Sequence, residues 1–66
     1  MQIIVTVRAD NAQMQTWGEI RDAIIDAAER AVHRHDEYEQ PREGDRVAVI
    51  DVNGNRVGAL TTIEDR

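Results

Sequence analysis

Apolar and polar residues alternate along this chain in a pattern that predicts three short strands and one long helix. Residues 2–8 carry Ile and Val at every second position, which is typical of a strand. Residues 16–36 repeat their apolar side chains every three to four positions, which is typical of an amphipathic helix. Residues 46–52 and 55–63 are two further β-prone runs. The predicted order is therefore β-α-β-β.

This order predicts a two-layer α+β domain in which one long helix packs on a three-stranded sheet. With 66 residues, we expect residues 1–66 to form a single domain. The first strand could lie parallel beside the second through a right-handed crossover, or antiparallel beside the third. Gly58 in the third strand permits a bulge or a close backbone approach, but does not choose between these two strand orders.

The predicted helix has a well-marked start and end. Thr16 and Glu19 have the spacing of a capping box, in which each side chain accepts a hydrogen bond from the other residue's backbone N–H. Pro41 disfavours helical geometry at the residue before it, so we expect the helix to end near Asp36 or Glu37. Met14 is expected to lie under the helix start.

The apolar arc of the helix is wider than one sheet requires. It covers roughly 200°, whereas a surface helix needs about 100°. Two interpretations remain open: an alanine-rich helix that is apolar simply because Ala is the best helix former, or a second, intermolecular contact. The arc consists of Ile20, Ala23, Ile24, Ile25, Ala27, Ala28, Ala31 and Val32.

The pair Asn53-Gly54 between two apolar runs predicts a C-terminal hairpin with a two-residue type I′ turn. This register places Asp51 opposite Arg56 as a cross-strand charge pair. It also places three apolar side chains on the sheet face opposite the one we expect the helix to cover, and these are Val47, Val49 and Leu60.

Both faces of the predicted sheet are apolar, and one helix can cover only one of them. We therefore predict that Val47, Val49 and Leu60 form an exposed contact surface for self-association, as a homodimer or a higher oligomer. The alternative is a patch that a monomer tolerates.

The two aromatic residues, Trp17 and Tyr38, lie near opposite ends of the helix. Trp17 fits a lid over the edge of the core; the alternative is an exposed anchor for a partner, since Trp and Tyr are enriched at binding hot spots. We include both in the predicted interface. The acidic connection that contains Tyr38, residues 36–45, is either a solvated loop or a docking patch for a basic partner.

Composition restricts the function further. A chain of this length buries only about 60% of its unfolded surface, and without cysteine it has no disulfides to support it, so a partner subunit is the leading source of extra stability. The net charge of −5 argues against binding nucleic acid. No apolar run is long enough to span a membrane and no signal peptide precedes the first strand, so a cytoplasmic protein is expected.

The sequence offers little catalytic chemistry. It has neither Ser nor Cys, and no glycine-rich phosphate loop. His33 and His35 point in nearly opposite directions on a helix, so they do not form a metal site with their acidic neighbours. We expect no enzyme activity, no cofactor and no metal.

The leading hypothesis is a small acidic protein-interaction module that self-associates and binds an unidentified protein. Its size, acidity and arginine-only basic residues would suit an accessory or inhibitory protein of a phage or mobile element. The alternatives are an acidic nucleic-acid mimic that blocks a DNA-binding protein, and a structural subunit of a larger assembly.

Overall fold

The computed structural model describes residues 1–10 and 12–64 and confirms the α+β layout. One helix packs on a three-stranded antiparallel sheet. The elements are β1 (Gln2–Val7), α1 (Trp17–His35), β2 (Arg46–Ile50) and β3 (Arg56–Ile63).

The strand order is β1-β3-β2, so β3 is central and the first strand pairs antiparallel with the third. Gly58 is the position where β1 and β3 come closest. A Cβ atom there would lie 1.7 Å from the backbone oxygen of Thr6, so no other residue fits without displacing β1.

The capping box at the start of α1 is confirmed. The backbone N–H of Glu19 donates to Thr16 Oγ1 over 3.1 Å, and the backbone N–H of Thr16 donates to Glu19 Oε1 over 3.0 Å. At the other end Asp36 caps the helix, and its N–H donates to the carbonyl of Val32. Asp36 has a φ of +127°, a strained region for a residue with a side chain.

The hairpin between β2 and β3 is present, but the expected type I′ turn is wrong. That turn needs positive φ at both central residues, and here Gly54 has a φ of +84° whereas Asn53 does not have a positive φ. The N–H of Gly54 donates to the carbonyl of Asp51, and the N–H of Asp51 donates to the carbonyl of Asn55. The connection is therefore a three-residue loop, Val52–Gly54, with Gly54 in the left-handed position.

The carboxylate of Asp51 explains this choice of turn. Asp51 is buried, and its Oδ1 accepts hydrogen bonds from the backbone N–H groups of Asn53 at 2.9 Å and Asn55 at 2.8 Å. A bulge next to this loop places Arg56 opposite Ile50, so the expected pairing of Asp51 opposite Arg56 is also wrong.

The helix covers the sheet face that we expected to be open. Val47 and Val49 are buried in the core, and Leu60 packs against it partly buried, so the expectation that these three form an exposed patch is wrong. The helix contacts mainly β2, and small side chains at Ala23 and Ala27 allow it to approach closely. As expected, Met14 is buried. The core cluster consists of Met14, Ala23, Ala27, Val47, Val49 and Val57.

Candidate interaction surface

The two edges of the sheet differ in how their backbone groups are satisfied. At the β2 edge, Arg34 Nη1 donates to the carbonyl of Arg46 over 3.1 Å, and Arg30 Nη2 donates to the carbonyl of Ala48. Arg30 is held in position by an ion pair with Asp26 at 3.0 Å. Arginine side chains from α1 therefore cover the β2 edge and occupy carbonyls that another strand would need.

The β1 edge has no such cover. Arg8 directly follows β1 and donates its backbone N–H to the carbonyl of Val57 in β3. Even-numbered residues of β1 therefore direct their backbone N–H and C=O groups toward β3. Because hydrogen-bonding direction alternates along a strand, Ile3 and Val5 direct their N–H and C=O groups away from the sheet. Among the described residues, no side chain donates to or accepts from these groups.

The side chains of β1 are exposed on both faces of the sheet. Val5 pairs with Leu60, and Leu60 pairs with the buried Val47, so Val5 and Ile3 lie on the helix side. They are 47% and 55% exposed because α1 lies over the opposite edge of the sheet. Ile4 lies on the other face and is 41% exposed. β1 thus combines free backbone groups with apolar side chains and carries no charge.

The helix leaves part of its apolar arc uncovered. Ala23 and Ala27 are buried against the sheet, whereas Ile25 and Val32 are about half exposed. Val32 and Ile3 line the same cavity, so this uncovered flank of α1 faces toward β1. The sheet of this chain does not bury the whole apolar arc, and the intermolecular contact stays a prediction.

A mainly apolar cavity of about 190 Å³ lies between the C-terminal end of α1, the start of β1 and the acidic connection. We call it the α1 cavity. Its apolar lining comes from Ile3, Ala31, Val32, Val47, Leu60 and Pro41. Its acidic lining comes from Asp36, Glu37, Glu39 and Asp45. The remaining lining residues are His35, Gln40 and Thr62.

Hydrogen bonds fasten the acidic connection to the rest of the molecule. Thr62 donates its hydroxyl to the carbonyl of Arg42 and accepts, through its carbonyl, the N–H of Gly44. His35 Nδ1 lies 3.0 Å from Glu39 Oε2. The acidic connection is therefore bonded to both β3 and the last turn of α1.

The predicted aromatic residues of the interface are both at the surface. Trp17 is 84% exposed and Tyr38 is 86% exposed, at opposite ends of α1. The interpretation of Trp17 as a lid over the core is wrong, because Met14 fills that part of the core. A role of either residue in binding stays a prediction.

Sequence reasoning did not single out β1 as the exposed apolar element. It centred the exposed surface on Val47, Val49 and Leu60, whereas β1 is the strand that is exposed on both faces. The missing signal was charge: Gln2–Val7 contains no charged residue, whereas natural edge strands commonly carry one.

Within residues 1–10 and 12–64, no cluster of three or more His, Cys, Asp or Glu residues could hold a metal ion. The helix within that part of the chain is not apolar enough to cross a membrane.

Comparison of the chain with protein-family models, with curated proteins and with solved structures finds no match. The function proposed below is therefore argued from the geometry of the molecule.

Proposed function

We propose that this protein is a self-associating protein-interaction module whose self-contact is the β1 edge. The observation that carries the proposal is the contrast between the two edges: arginines from α1 cover β2, while β1 has free backbone groups and half-exposed apolar side chains. An uncharged edge strand of six residues is a template for pairing with another strand. A second copy of the chain offers such a strand.

The alternation of β1 limits this pairing to registers that place odd-numbered residues opposite each other, and we propose the one centred on Ile4. In an antiparallel pair, residues opposite each other share a face and exchange hydrogen bonds at every second position. Pairing Ile3 with Val5 of the second copy joins outward backbone groups on both strands and keeps both helices on one side of the sheet. Ile4 then lies opposite Ile4 of the second copy. The product is a continuous six-stranded sheet with a two-fold axis.

Other parts of the proposal rest on composition. We place the protein in the cytoplasm because a chain without cysteine does not depend on an oxidising compartment. An accessory or inhibitory role in a phage or mobile element would fit its small size and acidity.

The test is the substitution Val5→Lys, which introduces a charge at the centre of the proposed contact between the two β1 strands. Fully burying an exposed Val side chain contributes about 1.5–3 kcal/mol. Val5 is 47% exposed in the monomer, so each of the two copies gains about half of that on association. We therefore expect the dissociation constant to rise by more than about 10-fold. Sedimentation velocity over a range of concentrations measures this change.

Val52→Lys is the matched control. It makes the same chemical change at a residue that is 82% exposed in the hairpin loop, away from β1. We expect Val52→Lys to associate like the unmodified protein and Val5→Lys to remain near 7.5 kDa. Association of both variants with equal affinity would reject the β1 edge as the self-contact.

A further inference from the structure

We infer that the α1 cavity binds an arginine or lysine side chain from a basic segment of a partner protein. Ile3 belongs to both the lining of this cavity and the β1 edge, but the inference does not depend on self-association. It names the chemistry of the second partner, whereas the β1 edge concerns a second copy of the same chain.

The lining of the cavity matches the two parts of such a side chain. Ala31, Val32 and Leu60 supply apolar surface for an aliphatic stem. Arginine and lysine bury their methylene groups along apolar surface while their charged heads stay at its border. Glu37 and Glu39 also line the cavity, and carboxylates are suitable acceptors for the charged head.

Charge complementarity selects a cationic occupant over an aliphatic one. Four of the residues that line the cavity carry a carboxylate, and the acidic connection supplies only Arg42 against its five acidic residues. An aliphatic occupant would desolvate these carboxylates without compensation, whereas a guanidinium would pair with them.

Glu37 differs from the other acids that line the cavity in its bonding. Those acids already accept bonds from this chain: Glu39 is paired with His35, Asp45 accepts the N–H of Arg42 over 2.9 Å, and Asp36 accepts the N–H of Tyr38 over 3.2 Å. Glu37 has no hydrogen bond or ion pair with any described residue. An arginine that pairs with Glu37 would therefore displace water from its carboxylate and would not break a hydrogen bond within this chain.

The probe is the capped tripeptide acetyl-Ala-Arg-Ala-amide, titrated into the full-length protein and followed by the backbone amide signals of the cavity residues. A second peptide carries norleucine in place of arginine and keeps the aliphatic stem without the charge. We expect saturable shifts at Glu37, Gln40 and Leu60 with the arginine peptide. We expect affinity about two- to fivefold lower for the norleucine peptide, since an exposed ion pair contributes up to about a factor of five.

Glu37→Gln and Glu43→Gln form the matched pair of variants. Both remove one charge from the acidic connection, but Glu43 does not line the cavity. We expect Glu37→Gln to weaken binding of the arginine peptide about threefold and Glu43→Gln to leave it within error. Raising the salt concentration should weaken binding of the arginine peptide more than binding of the norleucine peptide.

Three results would overturn the inference: no saturable shift with the arginine peptide, equal affinity for both peptides, or equal effects of the two variants. The translational diffusion coefficient in the same samples reports the oligomeric state. If the protein is monomeric and binds the arginine peptide, the β1 pairing is rejected and the cavity site is supported. If the protein is dimeric and does not bind the peptide, the cavity site is rejected and the β1 pairing is supported.

Discussion

Replacing Gly58 with alanine should detach the end of β1 from the central strand. The added Cβ would lie 1.7 Å from the carbonyl oxygen of Thr6 and 3.0 Å from the Cα of Val7, and both are backbone atoms that cannot rotate away. Reaching ordinary contact at 3.4 Å requires the strands to separate by about 1.7 Å. The neighbouring bond from Arg8 N–H to the carbonyl of Val57, now 2.7 Å, would lengthen beyond hydrogen-bonding distance.

Gly58→Ala should lower the free energy of unfolding by about 2–4 kcal/mol. About two hydrogen bonds between β1 and β3 would be lost, at about 1 kcal/mol each, together with apolar contacts of Val7 with the core. A 66-residue domain has about 3–10 kcal/mol of stability in total, so this loss is a large fraction. Urea denaturation followed by circular dichroism measures it. With a slope near 1 kcal/mol per molar urea, the midpoint should fall by about 2–4 M.

Gly18→Ala is the control, because it makes the same change in an open place. The nearest atoms to a Cβ at Gly18 lie 3.8 Å away, and alanine favours the first turn of a helix by up to about 1 kcal/mol over glycine. All proteins must be compared at one concentration, since self-association would add to the apparent stability. A Gly58→Ala midpoint equal to that of the unmodified protein would refute the close packing of β1 on β3.

Two substitutions test local features of the backbone. Asp36→Gly should raise the free energy of unfolding by about 1 kcal/mol, because it relieves the strain at a φ of +127° and removes a negative charge from a helix C-terminus. The control Asp22→Gly, inside α1, should lower the free energy of unfolding. If thermal unfolding shows that both substitutions destabilise the protein, the strain at Asp36 is contradicted. Asp51→Ala should cost about 2 kcal/mol, because it removes the carboxylate that accepts from Asn53 and Asn55. Val52→Ala in the same loop should cost almost nothing, and equal costs in urea denaturation would exclude Asp51 as the residue that selects the turn.

Local signals in the sequence were sufficient for the elements and the helix start. Thr16 and Glu19 identify the capping box by spacing, and strand alternation identifies the strands without tertiary information. These features depend on residues within one turn or one strand of each other, so a single sequence contains what determines them.

The turn of the hairpin shows where a local rule failed. Asn53-Gly54 favours a type I′ turn, but the carboxylate of Asp51 offers the backbone a competing set of hydrogen bonds. Asp51, which lies two positions before Asn53, decides the geometry of the turn. A rule based only on the Asn-Gly pair does not include Asp51.

The face covered by the helix could not be read from the sequence, because both faces of the sheet are apolar. Leu60 and Val47 share one face, while Ile4 and Ile63 share the other. Side-chain pattern alone gives no preference between faces of equal character. The structure shows α1 over the first of these faces and displaced toward β2, which leaves β1 exposed.

Hydrogen exchange of the β1 amides tests the proposed self-contact most directly. In the monomer the amides of Ile3 and Val5 point away from β3 and exchange freely, whereas in the paired strands they donate to the second copy. We expect both amides to be protected at high protein concentration and to lose this protection on dilution. Exchange of Ile3 and Val5 at the unprotected rate at every concentration, in a sample whose β3 amides are protected, would contradict pairing through β1.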